Sequence, residues 1–365
     1  MLIGDMCMNG IEELALGSAD VAAISGVDVS KSILEKSQLK GIFQQLYKSR
    51  IVPEGNLIFK YPKSPSSSLV VSQNVSPNSS IGVSGYQFNA GTINPRKNGL
   101  RVELSLESIE DASSSNIDLV EKMINEISNE VRAVNDARAF TVCLDIQSNT
   151  LTESDFTGGT LAASTLKPIL EIISSTFNTG SISSWDSADG KILLSSSITS
   201  GTLIYSYSNQ ARLNSQYQNC GTPQTITLAD IFTMRSKMRG NSIYPDIVLL
   251  NDNDFDNLFI TSELGGLWVG VDSYKGNSEP LIGEIGKLLD LKVLCGCTLV
   301  PEGISVLVDS SRLGYEAVFR SDVKVEFLPE NFSKGIHLWD ERDYGISDTL
   351  AVGLVVNGNS LAANL

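Results

Sequence analysis

Residues Asn98 to Phe140 read NGLRVELSLESIEDASSSNIDLVEKMINEISNEVRAVNDARAF, and two different periods meet within them. At the start, Leu100, Val102, Leu104 and Leu106 alternate with Arg101, Glu103, Ser105 and Glu107, the period-two pattern of a half-buried strand. A serine-rich turn follows. Beyond it, Ile117, Val120, Ile124, Ile127, Val131 and Val134 recur at steps of three and four, which places them on one stripe of a helix as its core-facing set. Ser115 is the candidate N-cap, and Asp118 three residues on approximates a capping box. A helix over about residues 116–139 would be roughly 35 Å long at 1.5 Å per residue. Such a helix, fed directly by a strand, is a scaffold element rather than an active-site loop.

Working outward, the 365 residues give room for two domains or one elaborated domain, and 42% hydrophobic content is ordinary for a chain with a sizeable core. No apolar run reaches the roughly 18 residues that cross a bilayer, so no membrane segment is expected. The opening MLIGDMCMNGIEEL carries acids where a secretion signal has bases. The five cysteines, Cys7, Cys143, Cys220, Cys295 and Cys297, form no Cys-x-x-Cys pair and read as free thiols.

Residues 1–30 read as an extended arm, and Lys31–Arg50 as a helix with Ile33, Leu34, Phe43, Leu46 and Tyr47 as its apolar set. Between 51 and 100, NLIFKYP, SLVVSQNVS and IGVSGYQFNAGTI read as strands separated by Pro, Gly, Ser and Asn. A hairpin with so few core-forming residues needs another surface to lie on. Residues 141–226 are Ser/Thr-rich. There KILLSSSI and TLIYSYS look like the two strands of a hairpin, and STLKPILEIISSTF fits either helix or strand. Helix and strand alternate from Thr227 to Val308, and three strand-like runs fill Ala317 to Val356.

Charge is unevenly placed. The net formal charge of −15 argues against a surface that grips nucleic acid. From Asn56 to Arg101 there is no acid, while Lys60, Lys63, Arg96, Lys97 and Arg101 are basic. The next stretch, Val102 to Glu130, carries Glu103, Glu107, Glu110, Asp111, Asp118, Glu121, Glu126 and Glu130 against Lys122 alone. This makes Lys60, Lys63, Arg96, Lys97, Arg101, Glu107 and Glu110 the candidate residues for an electrostatic contact between the two oppositely charged stretches.

Little in the sequence points to catalysis. His337 is the single histidine and lies in a strand-like run with no nucleophile elbow, so no catalytic residue is assigned. Gly283, Gly286 and Lys287 miss the phosphate-loop spacing, with Leu288 where a hydroxyl is needed. Asp252, Asp254, Asp256 and Glu263 match positions 1, 3, 5 and 12 of a calcium loop, but Asn257 replaces its glycine. The rival reading makes this segment a helix start, with Asn251–Asn253 as caps and the acids as dipole partners. No cofactor or metal is expected. Asn74, Asn78 and Asn331 sit in Asn-x-Ser sites that accept sugars only in a suitable compartment.

The strand phrase VELSLESIED, followed by a long helix ending NDARAF, resembles the spine-helix region of major capsid proteins with the Hong Kong 97 fold. That family includes tailed-virus shells and the related encapsulin compartments. TLADIFTMRSKMRGNSIYPDIVLLNDNDFDNLF is similar to the family's A-domain helix, strand and helix. LIGEIGKLLDLKVLCGCTLVPEGISVLVDSSRLGYEAVFRSDVKVEF is similar to its turn and closing strands. Together these phrases cover about half of the chain.

The resemblance implies an α+β fold with four parts. These are an N-terminal arm and helix (1–50), an extended loop (51–101), a peripheral domain with the spine helix (102–140 and 312–365), and an A domain (141–311) with an inserted β-subdomain near 150–226. It implies a structural, non-enzymatic protein that self-assembles as pentamers and hexamers into an icosahedral shell around double-stranded DNA. Scaffold, portal or decoration proteins would be its further partners. Assembly would take place in the host cytoplasm, and the protein would end in the virion. An encapsulin-type compartment around cargo enzymes is the first alternative, and a cytosolic calcium-binding or enzymatic protein the second. Some members cross-link an extended-loop lysine to a neighbour's asparagine. Lys60, Lys63 or Lys97 with Asn331 or Asn357 are in range, but no motif identifies a pair.

Overall fold

The computed structural model describes residues 41–63, 89–105, 119–151, 161–163, 168–177, 182–186, 191–194, 201–209, 217–220, 226–260, 268–270, 281–295, 299–328, 333–356 and 360–362. Along the chain, a 3-10 turn (Gln44–Leu46) precedes β1 (Lys48–Ile51), β2 (Phe59–Lys63), β3 (Asn89–Ile93), β4 (Arg96–Ser105) and helix α1 (Leu119–Cys143). Seven strands follow: β5 (Ile146–Leu151), β6 (Leu161–Ala163), β7 (Ile169–Phe177), β8 (Ile182–Asp186), β9 (Lys191–Leu194), β10 (Gly201–Ser208) and β11 (Tyr217–Asn219). Helix α2 (Leu228–Gly240), β12 (Ile247–Leu249), helix α3 (Asp252–Ile260), β13 (Trp268–Gly270), β14 (Glu284–Leu288), β15 (Leu291–Leu294) and β16 (Ile304–Val308) come next. The chain closes with β17 (Gly314–Leu328), β18 (Ser333–Ile346), a 3-10 turn (Thr349–Ala351), β19 (Val352–Val356) and β20 (Ser360–Ala362).

The spine helix is confirmed as α1 and runs four residues past the expected end. It lies on a four-stranded sheet of order β1-β17-β18-β4, in which β18 is antiparallel to both β17 and β4 and β1 runs parallel to β17. The alternation that opened the sequence is this sheet's pleat, since Leu100 and Val102 pair with the buried Leu338 and Ile336.

The stripe on α1 departs from the expected one at its carboxyl end. Ile127 and Val131 are buried, but Val134 is 49% exposed, and the inward positions continue through Asn135, Ala139 and Cys143. Steps of four keep facing the sheet, whereas a step of three from Val131 rotates Val134 outward. The expectation of Val134 as a core residue is therefore corrected. Positions 120 and 124 fall within α1, while Ile117, Ser115 and Asp118 lie outside the described residues.

The second layer is a seven-stranded sheet of order β11-β19-β16-β12-β15-β14-β13. Its central strands β19, β16 and β12 are buried throughout. Ile247 and Leu249 join a core with Phe43, Leu46, Phe140 and Leu144, while Val248 and Leu250 join α2's Ile231, Met234 and Met238 on the other side. Burial on both faces explains why IVLL reads as a continuous apolar run rather than an alternation. Helix α2 starts on a capping box, Thr227 with Asp230. A third core of Ile169, Ile172, Ile192, Leu203 and Tyr205 fills the space between β5-β10-β7 and β20-β8-β9-β6.

Three local expectations fail for one shared reason, a distant pairing partner. The described end of the expected 31–50 helix is a 3-10 turn and strand β1, because Lys48–Ile51 ladder onto Tyr315–Val318. KILL and TLIYSYS are strands of different sheets, with β9 on β8 and β6 and β10 on β5 and β7. Val352–Val356 joins the seven-stranded sheet beside β16 instead of standing by the spine helix, which splits the 312–365 segment between layers.

Alongside this apolar stripe, a polar network joins α1 to its sheet. The inner face of β18 reads Ile336, Leu338, Asp340, Arg342, Tyr344, Ile346, and every one of these side chains is buried. Arg342 donates through Nε and Nη2 to Asp340 (2.6 and 2.7 Å) and through Nη1 to Glu316 of β17 (3.1 Å). Asn135 of α1 donates to Asp340 (3.0 Å), and Gln44 donates to Glu316 (2.8 Å). Asp136 accepts the backbone N–H groups of Phe43 and Gln44 (2.6 and 2.9 Å), and Arg138 grips Asp343 with two hydrogen bonds. Burial alone would lower the Arg342 guanidinium, but hydrogen bonding and charge from Asp340, with Glu316, hold it above its ordinary value. Burial pushes Tyr344 up, and Glu316 adds to that shift. One guanidinium thus serves two buried carboxylates. Arg342→Met should cost about 3–5 kcal/mol, because it strands those charges in the core. The check is the urea midpoint of the purified protein, and a loss below about 1 kcal/mol would place the network in water.

Helix α3 resolves the acidic segment. Asn251 Oδ1 accepts the Asn253 N–H (3.0 Å), and its amide donates to the Val300 carbonyl (2.9 Å). Asp254 is buried and accepts the N–H of Gly303 (2.8 Å), whose φ of +79° suits a glycine in that turn. Asp252 and Asp256 stay on the surface, so the carboxylates diverge around the helix rather than converge on an ion. Burial pushes Asp254 up to about 6, the Gly303 N–H opposes that shift, and Glu302 adds to it. The folded state therefore holds this proton more tightly, giving stability that is full below the ordinary value of 3.8 and lost as pH rises through about 6. Asp254→Asn should flatten the fall in urea stability between about pH 4 and 6.5. A slope equal to wild type would assign it to other groups.

Candidate assembly interface

Within the segment expected as the extended loop (51–101), β2 and β3 pair as a hairpin, and a single aromatic ring fixes its root. Tyr61 pairs across the hairpin with Gly91 and is buried against Val52, Ile93 and Ala317. A Cβ at Gly91 would stand 2.3 Å from the Tyr61 ring, and one at Gly345 of β18 would stand 2.6 Å from its hydroxyl. Only glycines allow so close an approach. Ser347 adds a hydrogen bond to the Pro62 carbonyl (2.7 Å). The surface that the hairpin root needs is therefore supplied by its own chain, through β17 and β18. Residues 64–88, including SLVVSQNVS, lie outside the described residues, as do Asn74 and Asn78.

The basic candidates divide into two groups. Lys60 and Lys63 stand exposed on β2, on either side of the Tyr61–Pro62 anchor. Arg96, Lys97 and Arg101 sit on β4, the edge strand of the four-stranded sheet, and are exposed as well. Lys97 lies 4.0 Å from Glu341 and 5.5 Å from the centre of the Trp339 ring, while Arg101 pairs with Glu103 at 2.5 Å. Lys97 and Arg101 thus have acidic partners within the same subunit. Glu107, Glu110 and Glu263 lie outside the described residues, as do Asn331 and Asn357.

Sequence reasoning did not find the apolar surface. Ile51 is 85% and Leu57 78% exposed on either side of the β1–β2 turn, with Ile58 also exposed. Beside them a cleft of about 560 Å³ is lined by Pro53, Leu57, Pro95, Phe319, Arg320 and Glu341. The signal was present, because isolated Ile and Leu in a segment with no amphipathic period are poor candidates for any core. At the same rim of the sheet, β1 is an edge strand whose four residues are all exposed. An exposed edge with apolar neighbours is a site where another chain pairs or packs.

Among the described residues, no cluster of three or more His, Cys, Asp or Glu is placed to hold a metal. His337 lies on β18 beside Trp339, with ring centres 6.1 Å apart. Gly286 and Lys287 are in strand β14, so GEIGKLL is a turn and strand rather than a phosphate loop. Cys143, Cys220 and Cys295 are free and buried, and burial pushes each thiol up to about 12, which leaves them unreactive. Cys7 and Cys297 lie outside the described residues.

No family model matches the chain, and no curated protein matches it. Solved structures do. The capsid of Ralstonia phage GP4 is similar with a TM-score of 0.58 at 8% identity, over 90% of this chain and 92% of that one. The holo-SrpI encapsulin complex of Synechococcus elongatus PCC 7942 is similar with a TM-score of 0.50 at 9% identity, over 86% of each chain. Strand β4 feeding the spine helix, the sheet beneath it, the layer carrying α2 and α3, and the rooted hairpin are the features expected of this architecture. The chain has the Hong Kong 97-type α+β fold found in phage capsids and encapsulins.

Proposed function

We propose that this chain is the major capsid protein of a tailed virus, assembling in many copies into a closed icosahedral shell around double-stranded DNA. The observation that carries the reading is the fold likeness to the GP4 phage capsid over nine-tenths of both chains. A rooted hairpin arm, an exposed edge strand and unburied Ile51 and Leu57 support it, because these surfaces suit burial between subunits. In this reading the four-stranded sheet with α1 is the peripheral unit, and the seven-stranded sheet with α2 and α3 is the A domain. The arm carrying Lys60 and Lys63 reaches a neighbouring subunit within pentamers and hexamers. The role is structural rather than enzymatic, and the place is the virion. The net charge of −15 would leave packaged DNA ungripped, with scaffold, portal and decoration proteins as further partners. An encapsulin-type compartment is the second reading, favoured by the likeness to the SrpI complex.

Expressed with its own scaffold, the protein should form hollow particles or capsomer rings visible by electron microscopy. A monodisperse monomer at high concentration in sedimentation velocity would overturn the proposal. Particles from infected cells should contain DNA, whereas particles filled with enzyme cargo would select the compartment reading.

Reversing the arm charge with Lys60→Glu and Lys63→Glu should leave the circular dichroism spectrum unchanged and slow assembly at low salt. Each exposed pair contributes only about 0–1 kcal/mol, but the effect repeats at every interface of the shell. Salt should slow wild-type assembly in the same direction, since it screens attraction between exposed charges. Wild-type rates for the reversed protein would make the arm's charge a solvated face.

A further inference from the structure

A cavity of about 360 Å³ opens where the hairpin root meets the carboxyl end of α1, and Tyr61, Lys63, Arg138, Thr141, Asp145 and Gln147 help to line it. Strand β2 supplies Lys63 from one side, and the connection from α1 to β5 supplies Asp145 from the other.

The carboxylate of Asp145 stands in an unfavourable place. It follows a 25-residue helix whose last turn holds no basic side chain. The carbonyls at that end form the negative pole of the helix, which disfavours an anion. Backbone conformation does not account for the charge either. At φ 45° Asp145 is left-handed, a state that glycine or asparagine adopts without a charge. The carboxylate is nonetheless held in one direction. Gln147 Nε2 donates to Oδ1 (2.9 Å), Asn209 Nδ2 donates to Oδ2 (2.6 Å), and the Asn209 N–H donates to the Asp145 carbonyl (3.1 Å). Amide donors aim a carboxylate but leave its charge in place, so the position calls for a cation.

Of the two cations lining the cavity, one is already committed. Arg138 holds Asp343 through Nε (2.8 Å) and Nη2 (3.2 Å), and Asp343 also accepts the Tyr344 N–H (2.9 Å). That pair is neutral, which leaves Lys63 and Asp145 as the uncompensated charges. Lys63 is exposed and forms no ion pair among the described residues. Its backbone is fixed, because Ser347 Oγ donates to the Pro62 carbonyl (2.7 Å) and Tyr61 is seated against Gly91 and Gly345. From that fixed point the flexible four-carbon stem of a lysine swings its ammonium across the opening.

We propose that Lys63 and Asp145 form a strap that closes across this cavity, tying the hairpin root to the end of α1 and setting the direction in which the chain leaves β2. The device works within one chain and does not depend on the shell reading. Carbodiimide treatment of dilute wild-type protein joins an ammonium and a carboxylate in contact as an amide, with loss of water. Mass spectrometry of the digest should find a Lys63–Asp145 link and none from Lys60, which lies on the other side of the Tyr61–Pro62 anchor. In an equal mixture of isotope-labelled and unlabelled protein, the linked peptides should be wholly heavy or wholly light. Mixed pairs would place the partner on another copy and overturn the inference, as would the absence of the link. This measurement needs no variant to fold. Independently, Asp145→Asn should lower the urea midpoint more in the wild-type background than in Lys63→Gln, with the two backgrounds differing about threefold in the effect on the unfolding constant. Equal effects would make Lys63 a solvated side chain and overturn the strap. A protein that forms no shell but gives the within-chain link would overturn the capsid reading alone.

Discussion

The guanidinium of Arg342 holds the subunit together at its central seam. It lies between Glu316 and Asp340 on the inner face of the four-stranded sheet, where α1 and the Gln44–Leu46 turn close over it. Two carboxylates taken out of water need such a partner, and the guanidinium fork satisfies both while Asn135 and Gln44 supply the remaining donors. The seam is therefore directional. An apolar contact between α1 and β18 would tolerate a sliding helix, whereas these hydrogen bonds fix its register on the sheet. Asp136 and Arg138 extend the lock to the 3-10 turn and to Asp343.

That fixed register positions the outer parts. Strand β18 bears the network on one side of its pleat and receives Tyr61 against Gly345 a few residues further on. The hairpin root is thus tied to the strand that anchors the spine helix. Beyond that root, several apolar side chains are left on edges and turns rather than gathered into the cores.

Several features were legible in residues alone. The Asn98–Phe140 stretch announced a strand running into a long helix by a change of period. The calcium pattern at Asp252, Asp254 and Asp256 already had a rival in the helix-cap reading, and α3 follows the cap. The buried network was readable in hindsight. Continuing the alternation of Ile336 and Leu338 through Tyr344 and Ile346 puts Asp340 and Arg342 on the inward side, but a run reading DERD looks like a solvated surface.

By itself, then, the sequence determined the local elements, because a periodic apolar pattern depends only on neighbours a few residues away. It also determined the order of those elements, which carried the family resemblance. Tertiary structure alone decided which strand meets which: β1 on β17 across more than 260 residues, β19 beside β16, β9 and β10 in separate sheets. It likewise decided that Val134 faces outward while Asn135 faces in. The physical reason is the same in each case. A backbone ladder or a buried ion pair draws its free energy from a partner far along the chain, and no local period records where that partner is.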